Sequence, residues 1–260
     1  MKAFYFGCGN GESHFAIRNA DRPINVMVNY ASKVRYFPTA NVALRFVDSG
    51  GYSFFHRDGV FDQRLDKYLK FVRRHNADYF ANRDYPCEPE LLKKRGSTTL
   101  QNQALTLHNQ VELEIFIEDE YPDLFNRFVA VLQGWTLDDY IFMADFLNDR
   151  GLLTDLVGIG SVCRRNATSE LKSIILGLKE QFPVLNFHGF GIKFDVLKDA
   201  EVWDALYSAD SMAYQFGLGQ SWMRELLAGL SKNDFVLMKL NEWLSKLQDL
   251  EKLHHINGGK

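Results

Sequence analysis

Two aspartates end apolar runs and could act together as a carboxylate pair. Asp48 ends the run VALRFVD and precedes Ser-Gly-Gly, and Asp210 ends the run ALYSAD and precedes Ser-Met-Ala-Tyr. A displacement at the anomeric carbon of a sugar uses one carboxylate as nucleophile and a second as acid/base. Taken singly, each motif has an ordinary structural explanation, a tight turn at Asp48 and a helix N-cap at Asp210. The chemistry therefore requires both aspartates at one edge of the same sheet.

Other apolar runs also end in polar residues or glycines. These ends are Asp84-Tyr-Pro, Gln133-Gly134, Gly158-Ile-Gly-Ser161 and His188-Gly-Phe-Gly191. In a barrel of parallel strands, the carboxyl ends of all strands meet at one rim, and active sites lie there. The sequence therefore predicts a polar site assembled from several strand ends.

Strand-like and helix-like segments alternate along the chain. The apolar runs, which mark eight candidate strands, cover residues 3–10, 24–32, 42–51, 77–86, 127–135, 155–163, 185–193 and 205–213. Most are continuously apolar, which is typical of parallel strands covered by helices. Helical periodicity marks residues 61–72, 100–111, 137–147, 171–178 and 240–250, whereas residues 10–24 and 33–41 show no clear helix.

This alternation predicts an α/β fold, a (β/α)₈ TIM barrel, in a single domain with a helical C-terminal extension. We place the barrel in residues 1–216 and the extension, as part of the same domain, in residues 217–260. The run at residues 3–6 has no other apolar partner, so we expect it to fill the eighth strand position, between the 24–32 strand and the strand ending at Asp210. Gly7, Gly9 and Gly11 would then lie at the rim.

Composition limits the function classes. The chain has 260 residues, a net charge of −3 and 46% hydrophobic residues, which indicates a globular protein rather than one that coats nucleic acid non-specifically. No run approaches the roughly 18 apolar residues of a membrane span, and glycines interrupt the opening run before a signal-peptide core could form. We therefore expect a cytoplasmic protein without a membrane partner. Cys8, Cys87 and Cys163 are too far apart in sequence to indicate a disulfide framework or a four-cysteine zinc site.

The order of the motifs resembles one known family. VDSGGYSFF, VLQGW, VGIGSV, HGFG and ADSMAY occur in that order over roughly residues 1–216. They are similar to the motifs of the tRNA-guanine transglycosylase superfamily, whose barrel carries DSGGF, VQGG, a GGL-like turn and a late strand with an aspartate. The opening FYFG, followed by INVMVNYAS, is most similar to the small phage-type members that insert 7-deazaguanines into DNA.

The resemblance implies a role for each matching residue. Asp210 would be the nucleophile that forms a covalent glycosyl-enzyme, and Asp48 would protonate the leaving base and deprotonate the incoming one. The implied base-binding residues are Ser49, Asp84, Gln133, Gly134, Gly160, Ser161 and Val162, with Asp84 and Gln133 reading the edge of a guanine-like ring. The implied reaction is a base exchange by a glycosyltransferase, with DNA and a free 7-deazaguanine base, such as 7-cyano-7-deazaguanine, as partners and no cofactor.

Three further residues are candidates for contact with the nucleic acid, namely His188, Arg164 and Arg165. For His188 an alternative remains open, a structural histidine packed under the barrel mouth. For the two arginines the alternative is an ordinary solvated surface, although they directly follow the strand end at Ser161.

The sequence also departs from the family pattern. The GGL-like turn reads Gly160-Ser161-Val162 here, and no zinc knot of three cysteines and a histidine is present, because His254 and His255 have no cysteine near them in sequence. We therefore expect no bound metal, read these two histidines as solvated residues at a helix end, and favour DNA over tRNA. The alternatives are a tRNA-guanine transglycosylase with a trimmed architecture and a non-catalytic, nucleic-acid-binding barrel subunit.

Overall fold

A computed structural model describes residues 1–32, 35–61, 64–163, 165, 168–217, 220 and 229–257. Eight parallel strands form a closed barrel in the order β1 to β8, which confirms the predicted (β/α)₈ architecture. The strands are β1 (Ala3–Cys8), β2 (Ile24–Asn29), β3 (Val42–Asp48), β4 (Tyr79–Ala81), β5 (Phe128–Leu132), β6 (Leu156–Ile159), β7 (Asn186–Gly189) and β8 (Ser208–Ser211).

Helices connect the strands on the outside of the barrel. They are α1 (Gly11–Arg18), α2 (Gly51–Arg57), α3 (Leu65–Arg74), α4 (Pro89–Arg95), α5 (Thr99–Glu120), α6 (Leu137–Asn148), α7 (Thr168–Gln181), α8 (Ala200–Ala205) and α9 (Lys232–Asn257). Three short 3₁₀ turns complete the connections, at Pro122–Arg127, Val196–Lys198 and Ala213–Gln215. Thr136 caps α6 together with Asp139, as the capping-box spacing in the sequence indicates.

The first strand closes the barrel. Residues of β1 pair in parallel with β2, where Tyr5 faces Asn25, and with β8, where Tyr5 faces Asp210. This confirms the prediction that residues 3–6 occupy the eighth strand position. The strand's carboxyl end therefore lies next to the end of the strand that carries Asp210.

Apolar side chains fill both sides of the sheet. Inside the barrel, Tyr5, Met27, Phe46 and Val129 belong to one buried cluster, and a larger cluster lies between the strands and the surrounding helices. Burial on both faces explains why the strand sequences are continuously apolar rather than alternating.

Helix α1 corrects one expectation. Residues 10–24 show no clear helical periodicity in the sequence, but the structure forms α1 there, with Asn10 as its N-cap in a reciprocal pair with Ser13. The helix is eight residues long, and its buried side includes Ser13 and His14 as well as apolar residues. A short helix with polar residues on its buried face gives little periodic signal.

The predicted helix at residues 100–111 is confirmed as part of α5, but its apolar stripe is not the face that is buried. The apolar stripe of residues 100–111 points outward, since Leu100 is 64% exposed and Val111 41% exposed. The buried face instead carries amides: Asn109 donates to the Arg83 carbonyl, and Gln103 donates to the Gln133 carbonyl. Burying amides is favourable here because they satisfy backbone carbonyls next to the strand ends.

Helix α9 packs against the barrel through Phe235, Val236, Leu240 and Leu244, all buried. His254, which we expected to be solvated, is only 8% exposed, stacks on Trp203 and lies 3.2 Å through Nε2 from the Leu197 carbonyl. The expectation was wrong because α9 is ordered through Asn257 and packs His254 against Trp203 of α8. The side chain of His255 lies outside the described residues. Within the described ranges, no helix combines the length and the apolar character that crossing a membrane requires.

Candidate active site

The carboxyl ends of the strands bring the predicted polar residues to one mouth of the barrel. Asp48 is the last residue of β3, Gln133 directly follows β5, and Asp210 lies in β8. Asp84 follows β4 by three residues. Parallel pairing around a closed barrel thus gives one site from residues that are up to 162 positions apart, from 48 to 210.

Asp48 is held by donors on both carboxylate oxygens. Its Oδ2 accepts a hydrogen bond of 2.7 Å from the Asn29 side-chain amide, and its Oδ1 accepts one of 3.0 Å from the Gly50 N–H. Asn29 is the residue of β2 that faces Asp48 in the sheet register. Gly50 has a φ of +82°, a left-handed conformation that glycine adopts without strain.

The carboxyl group of Asp48 lies among protein atoms, although the residue as a whole is partly exposed. Burial, together with the nearby carboxylates of Asp84 and Asp210, raises its pKa to about 7, against the opposing effect of the hydrogen bonds from Gly50 and Asn29. At neutral pH the group therefore exists in both protonation states. That is the property required of a side chain that must give and take a proton in one cycle.

A chain of hydrogen bonds joins four strand ends beside Asp48. The Ser49 hydroxyl donates to Asp84 Oδ1 at 3.0 Å, and the Gln133 amide donates to Asp84 Oδ2. The Ser161 hydroxyl continues the chain at 2.6 Å from Gln133 Oε1. Burial also raises the pKa of Asp84. The structure thus brings together Ser49, Asp84, Gln133 and Ser161, as the prediction for a base pocket requires.

Glycines let these side chains approach. A Cβ on Gly160 would lie 2.2 Å from Gln133 Nε2, and a Cβ on Gly134 would lie 2.7 Å from the Asp139 Cβ. Both predicted glycines therefore make room for the pocket wall rather than for a turn. Val162 behaves differently, since its side chain is buried in the outer core cluster.

Ser161 stands where the family-like turn has a glycine, and its backbone adopts a left-handed conformation. Its φ is +53°, which is uncommon for a residue with a side chain. The hydroxyl of Ser161 accepts a hydrogen bond of 2.7 Å from the Cys87 N–H and lies 3.0 Å from a carboxylate oxygen of Glu88. These contacts stabilise the left-handed conformation.

Asp210 has a different environment on the opposite side of the mouth. Its Oδ1 accepts a hydrogen bond of 2.8 Å from the Gly191 N–H and lies 3.4 Å from His188 Nε2. The residue is 7% exposed. The second oxygen of Asp210 has no hydrogen bond from the residues that the structure describes.

Two of the three candidates for nucleic-acid contact, His188 and Arg165, are buried. His188 is fully buried under the mouth, as the structural alternative predicted. The guanidinium of Arg165 is stacked 4.0 Å from the centre of the Trp135 ring and donates to the Trp135 carbonyl. With its side chain 2% exposed, Arg165 does not present its charge to solvent, where a phosphate would lie. Arg164 lies outside the described residues.

Two residues of the site escaped the sequence analysis: Asn29 and Glu88. Asn29 is a polar residue at a strand end, so the rule that found Asp48 could also have found it. The buried Glu88 acts through a contact with Ser161 and has no recognisable sequence signal. The sequence identified Gly191 as part of a strand-end motif, but not the hydrogen bond from its N–H to Asp210. Among the described residues, no group of three or more histidine, cysteine, aspartate or glutamate side chains is placed to hold a metal ion.

The arrangement contains the chemical groups that a double displacement uses. Among the described residues, one mouth holds a carboxyl group that titrates near neutrality, a second carboxylate with one oxygen that accepts no hydrogen bond, and a hydrogen-bonded network that joins the strand ends. These are the parts needed to exchange a base on a sugar, with a covalent intermediate on the second carboxylate.

A comparison with the models of protein families gives a match. The model of a family described as DpdA, DeoxyPurine in DNA protein A, matches residues 1–234. The match covers all eight strands and extends beyond Asp210. A search of curated proteins finds no match.

Proposed function

The chain belongs to the DpdA family, DeoxyPurine in DNA protein A, and on that premise we propose that it replaces guanine in DNA with a 7-deazaguanine base. One observation carries the proposal: Asp48 and Asp210 share the barrel mouth but have different surroundings. A non-catalytic barrel would have no need for a buried carboxyl group that titrates near pH 7.

In the first half-reaction, Asp210 attacks the anomeric carbon of the target deoxyribose. The C–O bond to Asp210 forms, the C–N bond to guanine breaks, and its electron pair leaves with the base. Asp48 in its protonated form donates the proton that makes guanine a neutral leaving group. The product is a glycosyl-aspartate.

In the second half-reaction, the ionised Asp48 removes the ring N–H proton of the incoming base. The nitrogen then attacks the anomeric carbon, and the C–O bond to Asp210 breaks with its electron pair returning to the carboxylate. The energies of the C–N bonds broken and made are similar, so the exchange needs no external energy source. Asp48 ends the cycle protonated, ready for the next one.

The network of Ser49, Asp84, Gln133 and Ser161 supplies the base pocket. Carboxylate oxygens accept from the N–H groups of a guanine-like ring, and an amide both donates and accepts, so Asp84 and Gln133 match its Watson–Crick edge. A pocket of this kind rejects adenine because the buried polar groups of the pocket would lose their partners. 7-Cyano-7-deazaguanine retains that edge and is the class of incoming base we propose.

The target base must leave the DNA stack to reach this mouth. Unstacking and unpairing a base costs a few kcal/mol, which contacts to the flanking strand have to offset. The proposed substrate is therefore DNA with the target nucleotide extruded, and the enzyme reads the extruded base rather than the duplex edge.

Mass spectrometry of nucleosides tests this function. Cells with and without the protein are supplied with 7-cyano-7-deazaguanine, and their DNA and tRNA are isolated and digested to nucleosides. The proposal expects a deoxynucleoside of a 7-deazaguanine in DNA that depends on the protein. A modified nucleoside found only in tRNA would favour a tRNA enzyme, and unmodified DNA and tRNA in both cultures would contradict the proposal.

A further inference from the structure

The imidazole ring of His188 is enclosed directly below the proposed nucleophile. It is 0% exposed, and its ring centre lies 4.7 Å from that of Phe46, 4.6 Å from Phe190 and 5.9 Å from Tyr5. An aromatic enclosure of this kind fixes the ring plane and prevents direct contact with DNA. Any role of His188 must therefore act through a neighbour.

The two ring nitrogens of His188 have different neighbours. Nδ1 lies 2.8 Å from the Ser208 hydroxyl, and Nε2 lies 3.4 Å from Asp210 Oδ1. A neutral imidazole carries one N–H, and an ionised carboxylate can only accept. If the Ser208 hydroxyl donates to Nδ1, the proton is on Nε2 and faces Asp210.

Packing alone does not explain a histidine at this position. Nε2 is buried and has no hydrogen-bond partner of normal geometry among the described residues. A buried polar atom without a partner is costly, and an apolar side chain would fill the aromatic enclosure without that cost. An acceptor lies 3.4 Å away, the Asp210 oxygen that already accepts from Gly191. Hydrogen bonds at catalytic groups are often long in the free enzyme and tighten with substrate bound.

We propose, on the basis of the proposed function, that His188 is a positioning residue for Asp210. Its Nε2–H and the Gly191 N–H together hold Oδ1, which leaves Oδ2 as the oxygen that forms the bond to the anomeric carbon. In the second half-reaction, the C–O bond breaks and its electron pair returns to the carboxylate. The two donors on Oδ1 stabilise that returning charge, so the assignment applies to both half-reactions.

Two replacements of His188 separate positioning from packing. His188→Leu removes both ring nitrogens and keeps an apolar side chain, whereas His188→Gln keeps an uncharged N–H donor near the position of Nε2. We expect His188→Leu to lower kcat for guanine exchange about 10- to 100-fold, the usual range for losing a hydrogen bond to a charged group, with KM for the base within about threefold. His188→Gln should recover about tenfold of that loss.

A matched control is His254→Leu, which removes another buried imidazole, stacked on Trp203. It should lower the melting temperature and leave kcat unchanged. Wild-type kcat in His188→Leu, or equal losses in the Leu and Gln variants at equal melting temperature, would overturn the positioning role.

A spectroscopic arm does not depend on activity or on the folding of the Leu variant. ¹⁵N NMR of imidazole nitrogens, with the His188 signals identified by their loss in His188→Gln, should show the proton on Nε2. The Nε2 signal should shift in Asp210→Asn. A proton on Nδ1, or signals that do not respond to Asp210→Asn, would overturn the contact. If wild-type protein exchanges no base while both NMR results hold, the proposed function fails and the contact between His188 and Asp210 stands.

Discussion

Asp48 and Asp210 lie at the same mouth of one barrel, but the structure surrounds the two carboxyl groups differently. Asp48 has donors on both oxygens and a second carboxylate, Asp84, nearby, and burial raises its pKa to about 7. Asp210 has neighbours of this kind, among the residues that the structure describes, beside one oxygen: the Gly191 N–H donates to it, and His188 Nε2 lies 3.4 Å from it. The first arrangement suits a group that exchanges protons, and the second suits one that attacks with its other oxygen.

The contrast shows how one fold gives two aspartate side chains different surroundings. The carboxyl end of β3 places Asp48 in a network of carboxyl and amide groups, where burial and neighbouring negative charge favour protonation. The carboxyl ends of β7 and β8 place Asp210 against a backbone N–H and an imidazole. Divergent surroundings of paired titratable groups are a general way to separate acid/base and nucleophilic roles.

The largest expected effect comes from Asp210→Asn. An amide is a poor nucleophile toward the anomeric carbon, so exchange should fall below detection and no covalent adduct should form. The side-chain oxygen of asparagine can still accept from Gly191. The melting temperature should therefore stay within a few degrees of the wild-type value, and the affinity for DNA should stay within a few-fold of it. Turnover of labelled guanine and intact-protein mass spectrometry measure these outcomes. Near-normal turnover would remove Asp210 from its assigned role.

Asp48→Asn should lower turnover by about two to four orders of magnitude, the usual range for removing an acid/base group. The residual activity should show no transition near pH 7, because the group assigned to that transition is gone. Initial rates between pH 5 and pH 9 measure both effects. If the variant exchanges guanine at the wild-type rate, Asp48 is not the acid/base group and its role is limited to the turn.

The stability of Asp48→Asn should depend on pH in a defined direction. The pKa of Asp48 is raised to about 7 in the folded protein, so the folded state holds the proton more tightly than the unfolded state. Stability is therefore lost as pH rises from the unfolded pKa toward 7, by about 2–3 kcal/mol between pH 5 and pH 8.

Asparagine does not ionise, so the stability of the variant lacks this pH dependence. The Tm of the variant relative to that of wild type should therefore be higher at pH 8 than at pH 5, by roughly 4–8 °C. Thermal unfolding at pH 5 and pH 8 measures the difference. Asp21→Asn, at an exposed position, is the control and should give the same difference from wild type at both pH values. A constant difference for Asp48→Asn would contradict the raised pKa.

The smallest expected effect comes from Gly7→Ala, which changes the packing beside the end of β8, where Asp210 lies. A Cβ on Gly7 would lie 2.0 Å from Met212 Cγ, two residues beyond Asp210, and the Gly7 carbonyl accepts from the hydroxyl of Tyr214. Gly7→Ala should therefore lower the free energy of unfolding by about 1–3 kcal/mol and reduce kcat. The midpoint near pH 7 should not move, because Asp48 lies on another strand.

Gly11→Ala is the matched control for Gly7→Ala. A Cβ on Gly11 meets no atom within 4 Å, and the residue begins α1, so alanine should leave stability unchanged or raise it slightly. Denaturant unfolding and rate measurements compare the two variants. Equal stability of Gly7→Ala and Gly11→Ala would contradict the close packing of β1 against the end of β8.

The sequence allows most of the architecture to be predicted, because continuous apolar runs and polar strand ends are direct consequences of a covered parallel barrel. It also places Asp48, Asp84, Gln133 and Asp210 at one mouth. The face of α5 could not be predicted, since its buried amides are stabilised by carbonyls distant in sequence, such as that of Arg83. The setting of Arg165 against Trp135 likewise depends on two loops that meet only in the folded chain.

Exchange of labelled guanine by the purified protein tests the central claim most directly. Wild-type protein, Asp48→Asn and Asp210→Asn are each incubated with radiolabelled guanine and either duplex DNA or tRNA, and the label in acid-precipitated nucleic acid is counted. The account predicts that wild-type protein transfers label into DNA, that Asp48→Asn transfers at most about one hundredth as much per unit time, and that Asp210→Asn transfers none. Label that enters tRNA but not DNA, or equal label with wild type and Asp210→Asn, would contradict it.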